Sequence, residues 1–468
     1  MKIKFILLFC FGNILINNSD LYSQNPTNLI FSNVKSYNFD ASFTGSSADG
    51  YLVLSLADVN AVDIPEDGTV YSAGDPIGNS KVVQSSSSTS FSPRNIIAST
   101  EFHYSIFAYN GNGTSRVYDV GSPLTGSVLT PDSMYLPNYY ATVNIASANF
   151  MTALHNVISP HTQHSYNTYK TKMVRDFYER DTLNNQKVLT CLYTGINYIY
   201  TPPFEFNTIG FSREHTFPHS WFPDNSTGAN YYSDYHNLFP LHQNSANSIR
   251  SNYPFGDVVS DTLVIYGEGI LGRNAKGKIV YEPRDEQKGD AARALMYMSI
   301  RYNGENGLNW SIPSYISYTI TYGQDEALLK KWHFEDPPSP VERARNDYIQ
   351  TLQGNRNPFV DHPEYACYID FNTMTYIPEG CFLNVKEELL DKSVTVSPNP
   401  SSEVLSIKSD KATIESYKII DFTGRVIQAN DDFSQSITSI DVSLIQSGTY
   451  VIEITTSLGI ISKKIIVN

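Results

Sequence analysis

The hydrophobic pattern of this chain changes twice, and each change separates two kinds of fold. Residues 26–127 alternate apolar and polar side chains, as in GYLVLSLADV, which predicts short β-strands. Residues 138–385 contain segments with apolar residues at helical spacing, such as GDAARALMYMSIRY. Alternation returns over residues 394–468. Because 468 residues exceed one ordinary hydrophobic core, we expect a multidomain protein with a β-sandwich at each end.

The N-terminus carries the pattern of an export signal. Lys2 and Lys4 precede the apolar run FILLFCFGNILI, which is too short for an ordinary membrane span. We therefore expect residues 1–24 to be a signal peptide that is removed near LYSQNP. Since no later stretch is long and apolar enough to cross a bilayer, we expect no stable membrane span.

Charge and cysteine content restrict the class of protein further. The formal net charge of −14 argues against a protein that binds nucleic acid through its overall charge. This net charge does not exclude a local basic cleft. Three cysteines follow the predicted signal peptide, which is too few for a disulfide framework. Cys367 and Cys381 are the pair expected to form a single bridge in an oxidising compartment, with three buried thiols as the alternative.

The N-terminal strands include a segment typical of a known module. The segment FHYSIFAYNGNGTS, with Tyr104 and Tyr109, resembles the penultimate strand of a fibronectin type III domain. The resemblance implies an all-β sandwich over residues 26–127. Such domains carry no chemistry of their own, so it also implies a spacer or a binding module.

The C-terminal strands carry four short motifs in order: SPNP from Ser397, DFTGRVI from Asp421, SGTYVIEI from Ser447, and the ending KKIIV. Together they resemble the C-terminal sorting domain of the type IX secretion system. The resemblance implies a small C-terminal β-sandwich, recognition by the outer-membrane type IX secretion machinery, and a secreted or cell-surface location. An adhesive β-sandwich is the alternative.

The chemistry of the chain is concentrated in SREHTFPHSW, where Glu214 stands beside His215. Phosphodiester hydrolysis needs a base of near-neutral pKa to deprotonate water and a cation to offset charge on the phosphate. One carboxylate and one histidine could supply both functions. In an extended strand these neighbours point to opposite sides, so a turn or a strand end is needed to bring them to one cleft.

A second polar stretch, SDYHNLFPLHQNSANSIRSNYPFGDV, reads as a loop that enters a helix. Asn244, Asn247 and Arg250 are three residues apart and would lie near one helix face. That face could present an amide oxygen to a metal and a guanidinium to phosphate. A zinc peptidase is poorly supported, because HTFPH lacks the glutamate of the HExxH motif.

Four segments of residues 138–385 carry a resemblance to the endonuclease I family of secreted and periplasmic bacterial nucleases. They are REHTFPHSW, DYHNLFPLHQNSANSIRSNYPFG, YEPRDEQKGDAARALMYMSIRY and LLKKWHFEDPPSPVERARNDYIQTLQGNRNPFVDHPE. The resemblance implies an α+β, mainly helical nuclease domain that contains a ββα-metal (His-Me) finger.

The resemblance also implies residue roles. His215 matches the general base, while Glu214 and Asn247 match the ligands of one Mg²⁺, for which Mn²⁺ or Ca²⁺ are alternatives. The family uses an arginine from another segment on the phosphate, for which Arg213, Arg250 and Arg356 are candidates, and Arg250 is the first candidate for that catalytic role. The supporting residues expected around the site are Asp234, His236, Asn237, Asn252, Arg213 and Arg356.

These observations predict a secreted, metal-dependent endonuclease that cleaves DNA, and RNA as a further substrate, with little sequence specificity. His215 would take a proton from the attacking water, and the products would carry a 5′-phosphate. Two alternatives remain: an extracellular ribonuclease that uses the same site, and a surface adhesin in which the nuclease fold is inactive.

Overall fold

The structure is a computed structural model. It describes residues 25–93, 96–134, 138–183, 185–312, 322–380, 393–410, 412–421, 425–430, 434–457 and 459–468. The predicted signal peptide, Cys381 and most of the linker before the sorting domain lie outside the described residues. The chain forms two compact units: Met1–Met134 with Thr171–Leu189 and Asn197–Glu205, and Tyr135–Lys170 with Thr190–Ile196 and Phe206–Asn468.

The N-terminal part is a β-sandwich, as predicted. One sheet has the order β1-β2-β6 and the other β4-β5-β3-β7-β8, with β9 also paired to β7. The strands are β1 (Thr27–Ser32), β2 (Asp40–Thr44), β3 (Gly50–Ala57), β4 (Pro76–Ile77), β5 (Ser80–Ser86), β6 (Ser90–Phe91), β7 (Glu101–Asn110), β8 (Val117–Tyr118) and β9 (Leu124–Leu129).

Alternation along β3 and β7 builds the core of this sandwich. Val53 and Tyr104 point between the sheets, where Tyr104 meets Phe39 edge to face at 5.8 Å. Leu52 and Phe107 face the opposite side and are buried in a second cluster. Both faces of the central strands are therefore covered, and each strand can be apolar throughout its middle.

Two segments of the region predicted to be catalytic belong to the same compact unit as the sandwich. They include the sheet of β10 (Arg180–Thr182), β11 (Gln186–Thr190) and β12 (Asn197–Tyr200). Gly74 of the sandwich lies so near this sheet that a Cβ there would come within 2.5 Å of the Thr182 backbone nitrogen. The predicted domain boundaries place these residues with the following domain, and those boundaries stay a prediction.

The helices of the second unit follow the sequence signals closely. They are α1 (Phe150–Ile158), α2 (Phe206–Ile209), α3 (Ser248–Arg250), α4 (Lys288–Tyr302), α5 (Glu326–Glu335), α6 (Pro340–Gln353) and α7 (Pro358–Asp361). Helix α4 is buried at nearly every position and forms the centre of the core. Helix α6 begins where the Ser339 hydroxyl accepts from Glu342 N, and it ends at Gly354 with a φ of 86°.

The expectation of a mainly helical domain is not confirmed. Much of the unit consists of loops and short strands: β13 (Phe211–His215), β14 (Leu238–His242), β15 (Ser260–Tyr266), β16 (Gly269–Arg273), β17 (Ile279–Glu282), β18 (Ile369–Asp370) and β19 (Thr375–Tyr376). Buried side chains satisfy the irregular backbone between them. Arg345, for example, donates to the carbonyls of Tyr235 and Leu238. Hydrogen bonds from such distant side chains satisfy backbone groups that a helix would otherwise pair, so non-helical backbone can be buried in the core.

The C-terminal part is a second small sandwich, as predicted. Its sheets have the orders β20-β21-β24 and β23-β22-β25-β26. The strands are β20 (Val394–Ser397), β21 (Val404–Ser409), β22 (Ile414–Ile420), β23 (Val426–Asn430), β24 (Ile437–Asp441), β25 (Gly448–Thr456) and β26 (Gly459–Val467). Asn399 explains part of the SPNP motif, because its side chain donates to Lys464 O and accepts from Ile466 N on the last strand.

Two further expectations concern covalent and membrane chemistry. Cys367 is disulfide-bonded, and Cys381, its expected partner, lies outside the described residues. Cys191 is a free, buried thiol. Among the described residues, no helix combines the length and the apolar character that a bilayer crossing requires.

Candidate active site

The candidate active site is built on the antiparallel pair β13 and β14. Glu214 lies opposite Phe239 and His215 opposite Leu238, so the pairing ends at His215. The side chain of Asn237 then holds the turn that follows, since it accepts from Phe217 N at 2.7 Å and donates to Phe217 O at 3.1 Å. Glu214 and His215 point to opposite faces of the strand, and the strand end predicted from the sequence is present.

A helical segment follows β14 directly and covers the Glu214 face. It runs from Gln243 through α3, and Arg250 closes it. Arg250 is completely buried, and its Nη1 donates to Glu214 Oε1 at 2.8 Å. Its Nη2 donates to Thr216 O at 2.9 Å. The guanidinium therefore joins the helical segment to the end of β13.

His215 is held by a hydrogen bond that determines its tautomer. Its Nε2 lies 2.8 Å from the carbonyl oxygen of Tyr232. Because a carbonyl can only accept, Nε2 carries the proton and Nδ1 of the neutral ring has a free lone pair. The ring also stacks on Tyr166, with centroids 5.5 Å apart and planes within 8°. The imidazole is thus fixed with an acceptor nitrogen available.

Burial shifts the pKa values of both central residues. It raises the pKa of Glu214 to about 7, although the charge and hydrogen bond of Arg250 act in the opposite direction. It lowers the pKa of His215 to about 4, against the hydrogen bond with Tyr232, which raises it. His215 is therefore neutral at pH 7, the state in which it can accept a proton.

Asn247 lies on the same side of β13 as Glu214. Its Nδ2 donates to Ser212 Oγ at 2.6 Å, and Ser212 shares a strand face with Glu214 because it is two residues away. Asn244, on the same segment, is exposed to solvent. The structure thus brings the predicted amide and the predicted carboxylate to one face.

The donor chemistry of this face fits a hard divalent cation. Glu214 uses Oε1 for Arg250 and Asn247 uses Nδ2 for Ser212, so each keeps one oxygen without a hydrogen bond to any described residue. Within the described part of the chain, no three His, Cys, Asp or Glu side chains gather as a metal site. Magnesium needs no such cluster, because it keeps several waters and accepts one carboxylate and one amide.

Asp234 and His236 support the site from inside the core. Asp234 is fully buried and accepts at Oδ2 from the hydroxyls of Tyr297 and Tyr302, both at 2.7 Å. Its Oδ1 accepts from Gln353 at 3.0 Å. His236 packs its ring on Tyr297 at 4.7 Å. These contacts attach the loop between β13 and β14 to helices α4 and α6.

We expect Asp234→Asn to lower the free energy of unfolding at pH 7 by about 1–3 kcal/mol, since buried hydroxyl donors lose a charged acceptor. Burial alone would raise the pKa of Asp234, but His161, His236, Gln353 and Tyr302 hold that pKa well below its usual range. The ionised group therefore stabilises the fold above the unfolded pKa, and this contribution is lost as pH falls through the folded pKa.

Urea unfolding of wild type and Asp234→Asn at pH 7 and at pH 3 measures this effect. The difference between the two proteins should shrink at the lower pH. An equal difference at both values would contradict the assignment of the charge.

The remaining predicted residues lie in three different environments. Arg356 is completely buried and binds Asp361 through two hydrogen bonds of 2.7 Å, so it serves the core. Asn252 is half-buried, and its Oδ1 accepts from Ser251 Oγ at 2.7 Å. Arg213 is half-buried beside Tyr166. Of the arginines proposed for phosphate contact, Arg213 alone is accessible.

Sequence reasoning missed three residues that shape the site: Tyr166, Tyr232 and Ser212. Tyr232 acts through its backbone carbonyl, which leaves no signal in the sequence. Ser212 stands next to the REH motif and could have been read from the alternation of the strand. Tyr166 lies 49 positions before His215 on the chain, and only the fold reveals their stacking.

Comparisons with known proteins match two regions of the chain. The family model described as endonuclease I matches residues 146–364, and the model described as secretion system C-terminal sorting domain matches residues 395–468. An extracellular ribonuclease of Bacillus amyloliquefaciens is 31% identical over 276 residues, which cover 56% of this chain and 87% of the relative.

Two other relatives extend the comparison. An extracellular ribonuclease of Bacillus subtilis (strain 168) is 32% identical over 227 residues, 46% of this chain and 72% of the relative. An extracellular deoxyribonuclease of Aeromonas hydrophila is 34% identical over 128 residues, 27% of this chain and 49% of the relative.

The C-terminal match confirms the predicted sorting domain. The longer match contains β13, β14 and the helical segment that follows them, together with Glu214, His215 and Asn247. Since a relative at 31% identity is also covered over 87% of its length, this chain belongs to the endonuclease I family of nucleases.

Proposed function

We propose that the protein is a secreted, metal-dependent endonuclease in which His215 is the general base. One observation carries the proposal: the hydrogen bond from His215 Nε2 to Tyr232 O leaves Nδ1 as an oriented acceptor at the end of β13. A base must have this free lone pair, and burial keeps the ring neutral at pH 7.

The local architecture supports the same assignment. Two antiparallel strands carry Ser212, Glu214 and His215, and the helical segment after the second strand carries Asn247. We interpret this arrangement as the ββα-metal finger that the resemblance implied. In it the strand supplies the base and one ligand, and the helical segment supplies the other ligand.

Glu214 and Asn247 would hold the cation, which we propose to be Mg²⁺. When bound, the cation would offset negative charge on the scissile phosphate and the departing oxygen. Arg250 positions Glu214 by occupying Oε1, and Ser212 positions Asn247 by binding Nδ2. The free oxygens of both side chains are thereby oriented before substrate arrives.

The chemical step assigned to the protein is proton transfer from water to His215 Nδ1. The resulting hydroxide attacks phosphorus in line with the 3′ oxygen, which departs and leaves a 5′-phosphate on the second product. The imidazolium formed is stabilised by the Tyr232 carbonyl. No 2′-hydroxyl takes part, so both DNA and RNA are chemically acceptable substrates.

Relatives bear on the choice between these two polymers. The two Bacillus relatives, matched over 276 and 227 residues, are named as ribonucleases, and the Aeromonas relative, matched over 128 residues, is named as a deoxyribonuclease. We therefore propose activity on RNA as well as DNA. With the sorting domain, the extracellular relatives support action outside the cell.

The metal assignment is tested by Asn247→Ala. We expect the Mg²⁺ concentration for half-maximal cleavage to rise by at least about 10- to 100-fold, because loss of a residue that only supports a metal ligand already lowers metal affinity by that factor. Asn244→Ala is the matched control, since Asn244 lies on the same segment but is exposed. Cleavage rates measured across a Mg²⁺ titration should separate the two variants, and identical titrations would move the amide ligand away from Asn247.

A further inference from the structure

The stack of side chains beside His215 contains a cation without a counter-charge. Arg213 lies two residues before His215 on β13, and alternate residues of a strand share one face. Its guanidinium lies 4.0 Å from the Tyr166 ring centroid and 4.5 Å from that of Phe206. Tyr166 in turn stacks on His215. Arg213 and His215 therefore belong to one continuous surface.

The hydrogen bonds of Arg213 hold its position without using its donors up. Nη1 donates to Tyr166 O at 3.3 Å and to Asn167 Oδ1 at 3.2 Å. Both acceptors are neutral, and Arg213 forms no ion pair with any carboxylate of the described residues. Nε is buried and has no hydrogen-bond partner in the described part of the chain. The geometry therefore leaves a fixed, half-exposed guanidinium with its charge uncompensated.

The other two arginines of the site are occupied. Arg250 is completely buried against Glu214, and Arg356 is completely buried against Asp361 and Asp347. A guanidinium in that position cannot reach a substrate without breaking a buried ion pair, which costs several kcal/mol. A rigid planar fork at an accessible surface, by contrast, is well suited to phosphate.

Resting on the proposed function, we propose that Arg213 binds the phosphate next to the scissile phosphate. Two residues of an extended strand separate Arg213 from His215 by ~7 Å at the backbone. This separation is comparable with one step between successive phosphates on a single strand. The site therefore selects a polynucleotide over a substrate with one isolated phosphodiester, and Tyr166 spaces the two binding positions.

Dinucleotides with a single cleavable bond test the proposal directly. We would compare thymidylyl-thymidine without a terminal phosphate, with a 5′-phosphate, and with a 3′-phosphate. Wild type should cleave one of the phosphorylated forms with a kcat/KM about 10- to 100-fold higher, as expected for a charge-assisted contact. In Arg213→Gln this preference should fall to near one, whereas Arg213→Lys should keep part of it.

The control is Arg273→Gln, which removes another partly exposed arginine from a different sheet and should keep the full preference. An unchanged preference in Arg213→Gln, or no preference in wild type, would overturn the proposal. If wild type cleaves no dinucleotide, the proposal is tested instead by the affinity of the full chain for single-stranded DNA at several salt concentrations. There Arg213→Gln in a His215→Ala background should reduce the slope of log affinity against log salt by about 0.7, the value for one phosphate.

The binding measurement separates this proposal from the proposed function. If Arg213→Gln leaves the slope of log affinity against log salt unchanged, Arg213 does not bind a phosphate, even when cleavage needs Mg²⁺ and His215. If Arg213→Gln reduces the slope but wild type cleaves no polymer, the catalytic assignment is wrong and the phosphate contact of Arg213 is supported.

Discussion

Replacing His215 with alanine is expected to lower kcat for nucleic-acid cleavage by about 10²- to 10⁴-fold, the usual contribution of a positioned general base. Water then has no acceptor near its path, because the Nδ1 lone pair is lost. The KM should change much less, since His215 is not assigned to hold the substrate. Steady-state cleavage of a fluorogenic oligonucleotide by the full chain measures both constants.

The control must show that the fold survives the change. His215 packs on Tyr166 and edge to face on Phe222, so His215→Gln is the companion variant that fills more of the space. It should be as inactive as His215→Ala and melt closer to wild type. His362→Gln, which removes a partly exposed histidine paired with Glu364, should keep wild-type kcat. Wild-type turnover in either His215 variant would remove the residue from the mechanism.

The second large effect is expected at Arg250, where stability is the main quantity affected. Arg250→Met should lower the free energy of unfolding by about 1–3 kcal/mol, because the buried Glu214 carboxyl, whose pKa is already about 7 beside Arg250, takes up a proton and loses its hydrogen-bond donor. The carbonyls of His215 and Thr216 also lose their donor. Urea unfolding followed by the fluorescence of the buried tryptophans measures the loss.

A double variant separates the ion pair from other contacts. Glu214→Gln combined with Arg250→Met removes both charges and should recover part of the stability lost by Arg250→Met alone. Neither variant is expected to be active, since Glu214 is the assigned carboxylate ligand. If Arg250→Met unfolded like wild type and lost only turnover, Arg250 would contact the substrate, as the sequence alone had suggested.

The sequence was informative wherever a local rule decided the structure. The buried helix α4 was predicted from its spacing, because periodicity acts within a few residues. Helix α6 follows equally local signals, a serine cap and a proline in its first turn. The need for a strand end at Glu214 and His215 also followed from alternation alone. The pairing of β13 with β14 ends at His215, and the two residues lie on opposite faces of the strand.

The sequence was less informative where a distant partner decided the role of a side chain. Arg250 was expected at the phosphate, yet its partner Glu214 lies 36 positions earlier and draws it into the core. Arg356 was expected among the supporting residues, and its partner Asp361 follows only five positions later. The mainly helical expectation was not confirmed because buried hydrogen bonds from remote side chains, such as those of Arg345, support irregular backbone.

The central claim, a metal-dependent nuclease with His215 as base, is tested most directly by one cleavage experiment. Supercoiled plasmid and a structured RNA are each incubated with the full chain in Mg²⁺, with the full chain in EDTA, and with His215→Ala in Mg²⁺. We predict cleavage of both polymers in the first incubation alone. Cleavage that persists in EDTA or in His215→Ala, or no cleavage of either polymer by wild type with Mg²⁺, would contradict the account.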